Sequence, residues 1–258
     1  MYGHGVALAK LKRTDKTQNN PRSAIHYAIR NTQYALRNPS ILMPIRMMPS
    51  LDEERAFWQA GVRLVAGVDE AGRGAWAGPV VAAAVILPCD ERVVADLEGV
   101  TDSKQLPPAR REALRARIQQ VALAWAVGSA SSAEIDALGI LAATRLAMTR
   151  AVSGLSPAPE ALLIDALSLP AVALPQRAFA RADALSLSVA AASILAKTSR
   201  DALMCALDAE LAGYGFARHK GYGTRAHRQA LRRLGACPIH RRTFKPLAQL
   251  ALELPEPC

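Results

Sequence analysis

What this 258-residue chain lacks, it lacks unevenly. Its only four asparagines are Asn19, Asn20, Asn31 and Asn38, so none follows Ser50. The four cysteines (Cys89, Cys205, Cys237, Cys258) form no CxxC pair and show no zinc-like spacing to histidine, which argues against a zinc module. They are expected to be reduced, mostly packing residues of an intracellular, cytoplasmic protein. No apolar run reaches membrane-spanning length, and the longest, Pro79 to Pro88, fits a buried strand. Acids are missing where bases are dense. Phe216 to Leu250 holds nine Lys or Arg and no Asp or Glu, and residues 1–50 hold eight against Asp15 alone. With +9 and +7 on those flanks, the net +10 leaves −6 for the remainder. A basic flank beside an acidic centre suits an enzyme that holds phosphates on cations and does chemistry with carboxylates.

Residues 1–50 differ in kind from the rest. They show no sustained apolar period and no secretory core. A basic targeting arm and an extra nucleic-acid contact are both open. The reading preferred is a disordered extension, or sequence upstream of a true start at Met43, Met47 or Met48. Residues 51–258 then form the working domain.

From Leu51 the pattern is α/β. Residues 51–61 read as a short helix closed by Gly61. Residues 62–69, 79–87 and 121–130 read as three strands, with a proline-opened helix from Pro107 between the second and third. A single long helix is expected over 131–152, capped by Ser131 with Glu134. Further strands are expected at 160–167 and 171–180, then a small-residue helix over 185–211 and a basic helix from Thr224 to Gly235. Three early strands without long crossovers, followed by alternation, predict a mixed central sheet flanked by helices, with a C-terminal helical basic region.

Carboxylates recur where strands end: Asp69 and Glu70 after "AGV", Asp165 after "LLI", and Asp183 after "FARA". Any one of them alone is more simply a cap or an exposed loop residue. Gathered at the rim of a sheet they would repel, by about 4 kcal/mol per pair at ~4 Å and an effective dielectric of ~20. A cation resolves that conflict, and oxygen-only ligands select Mg²⁺ or Mn²⁺, with two ions suited to phosphodiester hydrolysis. Neighbouring residues of a regular strand face opposite ways, so Asp69 and Glu70 sharing one ion would need the glycines at 67, 72, 74 and 78 to bend the backbone. The turn is no Walker loop, since no Lys-Ser or Lys-Thr follows. It is no dinucleotide fingerprint either, since Gly78 comes one residue late. A close glycine backbone can instead approach a sugar.

The stretches "AGVDEAGRGAWAGPVVAAAV", "DSKQL", "LLIDAL", "ADALSLSVAAASILAKTSRD" and "GFARHKGYGTRAHRQALRRLGACPIHRRTF" together resemble bacterial ribonuclease HII, in the family's order, from about Leu51 to Phe244. The resemblance implies a ribonuclease H-like fold. It implies hydrolysis of the RNA strand of RNA–DNA hybrids and nicking 5′ to ribonucleotides embedded in duplex DNA. Asp69, Glu70, Asp165 and Asp183 match the family's metal-binding catalytic carboxylates. Gly72, Arg73 and Gly74 match its ribonucleotide-contacting turn, and Tyr222 matches the tyrosine that packs on the following deoxyribose. Lys104 and Lys197 match lysines near the nucleic-acid backbone.

Plainer readings stand beside these. Lys104 can be an ordinary loop lysine, and Lys197 can pair with Asp201 rather than with phosphate. His219 and His240 are expected on the surface, and Trp76, Trp125 and the methionines in packing. The chain departs from the resemblance at Arg181-Ala182, where Lys-Gly is common, at Leu185 for lysine, and at Ala75-Trp76 for Pro-Leu. The expectation is a monomeric nuclease with no membrane contact. The rivals are a catalytically silent hybrid-binding module and a type 3-like hybrid nuclease without junction preference.

Overall fold

The computed structural model describes residues 48–245 and 247–249, so the expected N-terminal extension, apart from its last three residues, lies outside the described region. In chain order the elements are α1 (Asp52–Gln59), β1 (Val65–Ala71), β2 (Val80–Ile86), α2 (Arg92–Asp96), α3 (Pro108–Val121), β3 (Ala124–Ala130), α4 (Ser132–Leu138), α5 (Ile140–Ser153), β4 (Ala161–Asp165), β5 (Gln176–Phe179), α6 (Leu187–Glu210), α7 (Phe216–His219) and α8 (Arg225–Leu234). Short 3-10 turns occupy Ser103–Gln105 and Ala182–Ala184. The strands form one mixed sheet in the order β3-β2-β1-β4-β5. β1 pairs antiparallel with β2 and parallel with β4, β2 pairs antiparallel with β3, and β4 pairs parallel with β5.

Alternation along β2 explains the layers. Val80, Ala82, Ala84 and Ile86 pack with Ala143, Ala147, Met148 and Ala151 of α5. Ala83 and Val85 face the other way, onto Ala190, Ala191 and Ile194 of α6. All seven β2 residues are buried, which accounts for a continuous apolar run rather than an alternating one. The small residues of α6 let it lie close to the sheet. At Gly67 of β1 an added Cβ would run into the Ser188 backbone.

Local signals held at most boundaries. Ser131 and Glu134 form a reciprocal capping box. Thr224 accepts from His227 N at 3.2 Å, and Gly235 closes α8. The expected helix over 131–152 is two helices. Gly139 at φ 78° and ψ 155° closes α4 on Ile135, and its carbonyl opens α5 by accepting from Ala143 N. A left-handed glycine closes a helix more readily than it sits inside one. The strand expected over 171–180 shortens to β5, while α2 and α7 carried no readable period. Trp125, expected in packing, is exposed on edge strand β3. Among the described residues no helix is long and apolar enough to cross a membrane.

One buried acid ties the start of the domain to α6. Glu54 of α1 is 1 % exposed, and its Oε1 accepts from Ser186 Oγ (2.6 Å), Ser188 Oγ (2.7 Å) and Ser188 N (2.9 Å). A carboxylate at a helix N-terminus satisfies free N–H groups and opposes the positive dipole end. Replacing it removes the acceptor but leaves the donors buried. Glu54→Ala is expected to cost about 3 kcal/mol, lowering the melting temperature by roughly 6–12 °C in a calorimetric scan.

Candidate active site

β1 and β4 are parallel neighbours, so their carboxyl ends meet at one sheet edge. Val68 and Ile164 are the last paired residues, and Asp69 and Asp165 come one step beyond them. Odd positions of both strands face α6, with Val65 and Leu163 packing on its Val189. Asp69 and Asp165 therefore share that face. The turn Ala182–Ala184 delivers Asp183, which is buried, and Asp165 Oδ1 accepts from Ala182 N at 2.8 Å. Arg181, at the departure noted above, enters that turn in the left-handed region at φ 61°.

Glu70 does not share this face. The antiparallel ladder to β2 stays regular through Ala71, with Asp69 opposite Ala83 and Glu70 opposite Ala82. The expected backbone departure comes only at Gly72, φ 96°, after both acids. Glu70 Oε1 accepts from Arg73 Nη1 at 3.1 Å, and its Oε2 is buried with no hydrogen-bond partner. Among the described residues no three His, Cys, Asp or Glu side chains close into a finished metal cage.

Electrostatics nonetheless couple the four acids. Burial, then Glu70, Asp165 and Asp183, push the Asp69 carboxyl well above its ordinary range. Burial also raises Glu70, where Arg73 opposes the shift and Asp165 reinforces it. Asp183 is raised by burial, then by Asp102 and Asp165. At Lys104 partial burial works to lower the ammonium, but Asp69, Asp102, Asp183 and Asp165 outweigh it and hold it up. An oxygen-only donor set with an orphaned buried oxygen and mutual repulsion fits a hard divalent ion.

Beside the acids lies an open cleft of roughly 620 Å³. Glu70, Gly72, Arg73, Gly74, Lys104, Lys197 and Tyr222 line it, so most of the residues singled out in the sequence meet here. Lys197 Nζ bonds Asp201 Oδ1 at 2.6 Å, and Arg111 reaches the same carboxylate at 3.5 Å. The Lys197–Asp201 pairing is thus present. Burial lowers Lys197 even against Asp201. Tyr222 is 36 % exposed, with the Arg200 guanidinium 5.5 Å and the Lys197 ammonium 6.0 Å from its ring centre.

Three arginines that sequence reasoning left out shape the cleft. Arg111 also lines it, and donates to the carbonyls of Ser103 and Leu106. Arg200 and Arg241 are fully buried. Arg241 donates to the carbonyls of Gly72, Arg73 and Gly78 at 2.8, 2.8 and 2.9 Å. Arg200 donates to those of Ala77, Pro79 and Lys220 at 3.1, 2.9 and 2.9 Å. Burial, with Arg200 adding to it, pulls Arg241 down to about 9, still a cation at neutral pH. An arginine three residues after Lys197, just past the small-residue stretch of α6, was a usable signal for Arg200. Arg241 stood in a run of bases and carried none. His219 and His240, expected on the surface, are buried at 8 % and 1 % exposure.

The ribonuclease HII family model matches residues 66–247. Ribonuclease HII of Roseiflexus castenholzii is 56 % identical over 206 residues, covering 79 % of this chain and 91 % of that one. Ribonuclease HII of Chloroflexus aurantiacus is 52 % identical over 209 residues, covering 81 % and 99 %. The crystal structure of ribonuclease H2 from Pyrococcus horikoshii superposes with a TM-score of 0.63 at 28 % identity, over 73 % of this chain and 97 % of that one.

Two outcomes are expected from these charges. The folded-state pKa of Asp69 lies above its unfolded value near 3.8, so its contribution is fully present below that value and lost as pH rises. Asp69→Asn should then raise the melting temperature at pH 7–8 in chelator, by roughly 2–4 °C for each kcal/mol relieved. The gain should vanish near pH 4, and strand cleavage should be lost. Arg241→Met leaves three carbonyls bare and should cost about 3 kcal/mol in thermal unfolding.

Proposed function

The chain belongs to the ribonuclease HII family, and from that premise we propose how its cleft cuts RNA joined to DNA. The protein is an endoribonuclease that hydrolyses the RNA strand of RNA–DNA hybrids. In this reading it also nicks 5′ to single ribonucleotides in duplex DNA, leaving a 3′-hydroxyl and a 5′-phosphate. One observation carries the reading: Asp69, Asp165 and Asp183 gather beside Glu70, which lines a cleft together with a glycine turn, two lysines and an exposed tyrosine.

Asp69, Glu70, Asp165 and Asp183 are the residues that would hold divalent metal, Mg²⁺ or Mn²⁺, as two ions. When bound, such ions supply an activated water and stabilise the leaving 3′ oxygen. The orphaned Glu70 Oε2 and the raised Asp69 support that role. Arg73 holds Glu70 at the rim and offsets part of its charge.

The turn supplies the sugar contact. Arg241 takes the carbonyls of Gly72 and Arg73 from the protein side. In a trans peptide the C=O and the next N–H point in opposite directions, so the N–H groups of Arg73 and Gly74 turn toward the cleft. They can donate to a 2′-hydroxyl, a group that DNA lacks. Gly74 leaves open space where a Cβ would stand, so the backbone itself can approach the ribose. Tyr222 packs on the next deoxyribose, and Lys104 and Lys197 steady the phosphates. Recognition then rests on the sugars of an RNA–DNA junction and not on base sequence. The working unit in this reading is a cytoplasmic monomer built from residues 51–258.

A labelled DNA duplex carrying one ribonucleotide should be nicked 5′ to it with Mg²⁺ or Mn²⁺. Retained binding without cleavage in either metal would sink the enzymatic reading and favour a silent binding module. Tyr222→Ala should lower kcat/KM at the junction about tenfold while affecting long hybrids less, as loss of a stacking contact implies. Equal losses on both substrates would remove the tyrosine from junction selection.

A further inference from the structure

Behind Tyr222, away from the acids, three histidine rings are packed together. His219, His227 and His240 are 8 %, 0 % and 1 % exposed, on α7, on α8 and beyond α8. His219 and His227 stack with centres 4.5 Å apart and 15° between planes. Phe216 closes them edge-on, and Tyr214 tilts over His240. The hydrolysis described above uses none of them.

Their protons can be counted from partners whose roles are fixed. Cys237 N–H, which can only donate, points to His240 Nδ1 at 2.9 Å. The Tyr222 carbonyl, which can only accept, lies 3.1 Å from His227 Nδ1. His227 Nε2 and His240 Nε2 are 3.0 Å apart. His227 therefore carries its proton on Nδ1, and its Nε2 is a lone pair. The proton between the rings must come from His240 Nε2, leaving His240 Nδ1 free to accept. The Cys237 carbonyl, 3.3 Å from that same nitrogen, is the weaker partner. Were His240 protonated on Nδ1 instead, two lone pairs would face each other at 3.0 Å.

The result is a directed chain: Cys237 N–H to His240, His240 N–H to His227, His227 N–H to the Tyr222 carbonyl. His219 works beside it. Its Nδ1 accepts from Gly221 N at 3.2 Å, its Nε2 donates to the Tyr214 carbonyl at 2.8 Å, and its carbonyl accepts from Tyr222 N at 2.9 Å. A second proton on His227 would meet the N–H of His240 head-on. Both rings are correspondingly held neutral, each lowered to about 4, by burial first.

We propose that His227 and His240 are positioning residues for Tyr222. By bonding the Tyr222 carbonyl alongside Thr224 N, which reaches it at 2.8 Å, they set the exposed ring at the angle that selects an RNA–DNA junction. The proposal rests on the reading of Tyr222 as the residue that packs on the deoxyribose. It places substrate selection partly in a histidine relay that never touches substrate.

The test compares two substitutions of similar size. His227→Asn keeps a side-chain N–H near the position of Nδ1, and so the bond to Tyr222. His227→Gln keeps a polar group facing His240 and loses that bond. The readout is the ratio of kcat/KM on a single-ribonucleotide duplex to kcat/KM on a long RNA–DNA hybrid. His227→Gln is expected to lower this ratio about tenfold, and His227→Asn by less than about threefold. Parallel loss on both substrates, tracking the melting temperature, would mean a merely structural role and overturn the proposal. Tyr222→Ala is measured alongside. If it lowers the ratio and His227→Gln does not, only the positioning claim falls. If Tyr222→Ala leaves the ratio unchanged, the reading of Tyr222 falls and the proposal with it. Should the variants not fold, nitrogen-15 spectra of the unsubstituted protein at pH 7 still decide. His240 must be the Nε2–H tautomer and His227 the Nδ1–H tautomer, and the opposite assignment of either ring overturns the relay.

Discussion

Arg200 and Arg241 are both fully buried, and each of their hydrogen bonds ends on a backbone carbonyl. Among the described residues no carboxylate forms an ion pair with either one, so six carbonyl dipoles do most of the work that a paired acid would otherwise do. The six belong to two stretches far apart in sequence, Gly72–Pro79 and Lys220. The arginines themselves come from α6 and from the segment after α8. Two cations thus bring together the strand-end turn, the tyrosine loop, the long helix and the C-terminal segment. The glycines fall where this packing leaves no room. A Cβ at Gly72 would collide with the Arg200 side chain, and one at Gly221 with the Ala77 carbonyl. Gly72 is glycine because a guanidinium lies behind it, whatever the turn faces in front.

The acids impose the opposite constraint. A fold optimised for stability alone would not bury Asp69 and Asp183 within range of Asp165 and Glu70. Burial and mutual repulsion push the carboxyls of Asp69, Glu70 and Asp183 upward accordingly. The sheet tolerates it because β1 is anchored elsewhere: by pairing on both sides, by α6 against Gly67, and by Glu54 on the α6 N-terminus. Strain at the edge and over-determination in the middle are complementary. The edge stays charged because the middle holds without it.

Asp69 and Asp165 were legible from sequence because each ends an apolar run at a strand end, whereas Asp183, two residues after Arg181, lies in the 3-10 turn Ala182–Ala184. Asp165 after three apolar residues can only sit at a strand rim. The sheet was legible for the same reason, since β2 has no polar residue with which to face water. What escaped was whatever depended on a residue's partners rather than its neighbours. His219 and His240 stand among arginines and look solvated, yet His219 stacks on His227, His240 tilts against it, and Phe216 packs on both. Arg241 counted only as charge. The bend expected within the Asp-Glu pair was placed too early, because ladder pairing to β2 is satisfied through Ala71 and nothing local opposes it. Gly139 showed the converse: a local rule about helix ends that a long apolar period had masked.

The departure at Ala75-Trp76 ties these observations together. Trp76 sits between the glycine turn and the Tyr222 loop. Its ring fills the space that a Cβ on Gly223 would occupy, lies 5.8 Å from the His227 ring, and is overlaid by the Arg228 guanidinium at 5.6 Å. Its N–H and that of Ala77 both reach the Gly221 carbonyl, and its own carbonyl accepts from Arg241 N. A larger ring after the turn therefore does not loosen the cleft. Trp76 contacts the glycine turn's neighbour Arg241, the tyrosine loop and His227 at once. Under the proposed reading such contacts matter, because one hydroxyl discriminates only if the donors facing it cannot move to accommodate its absence.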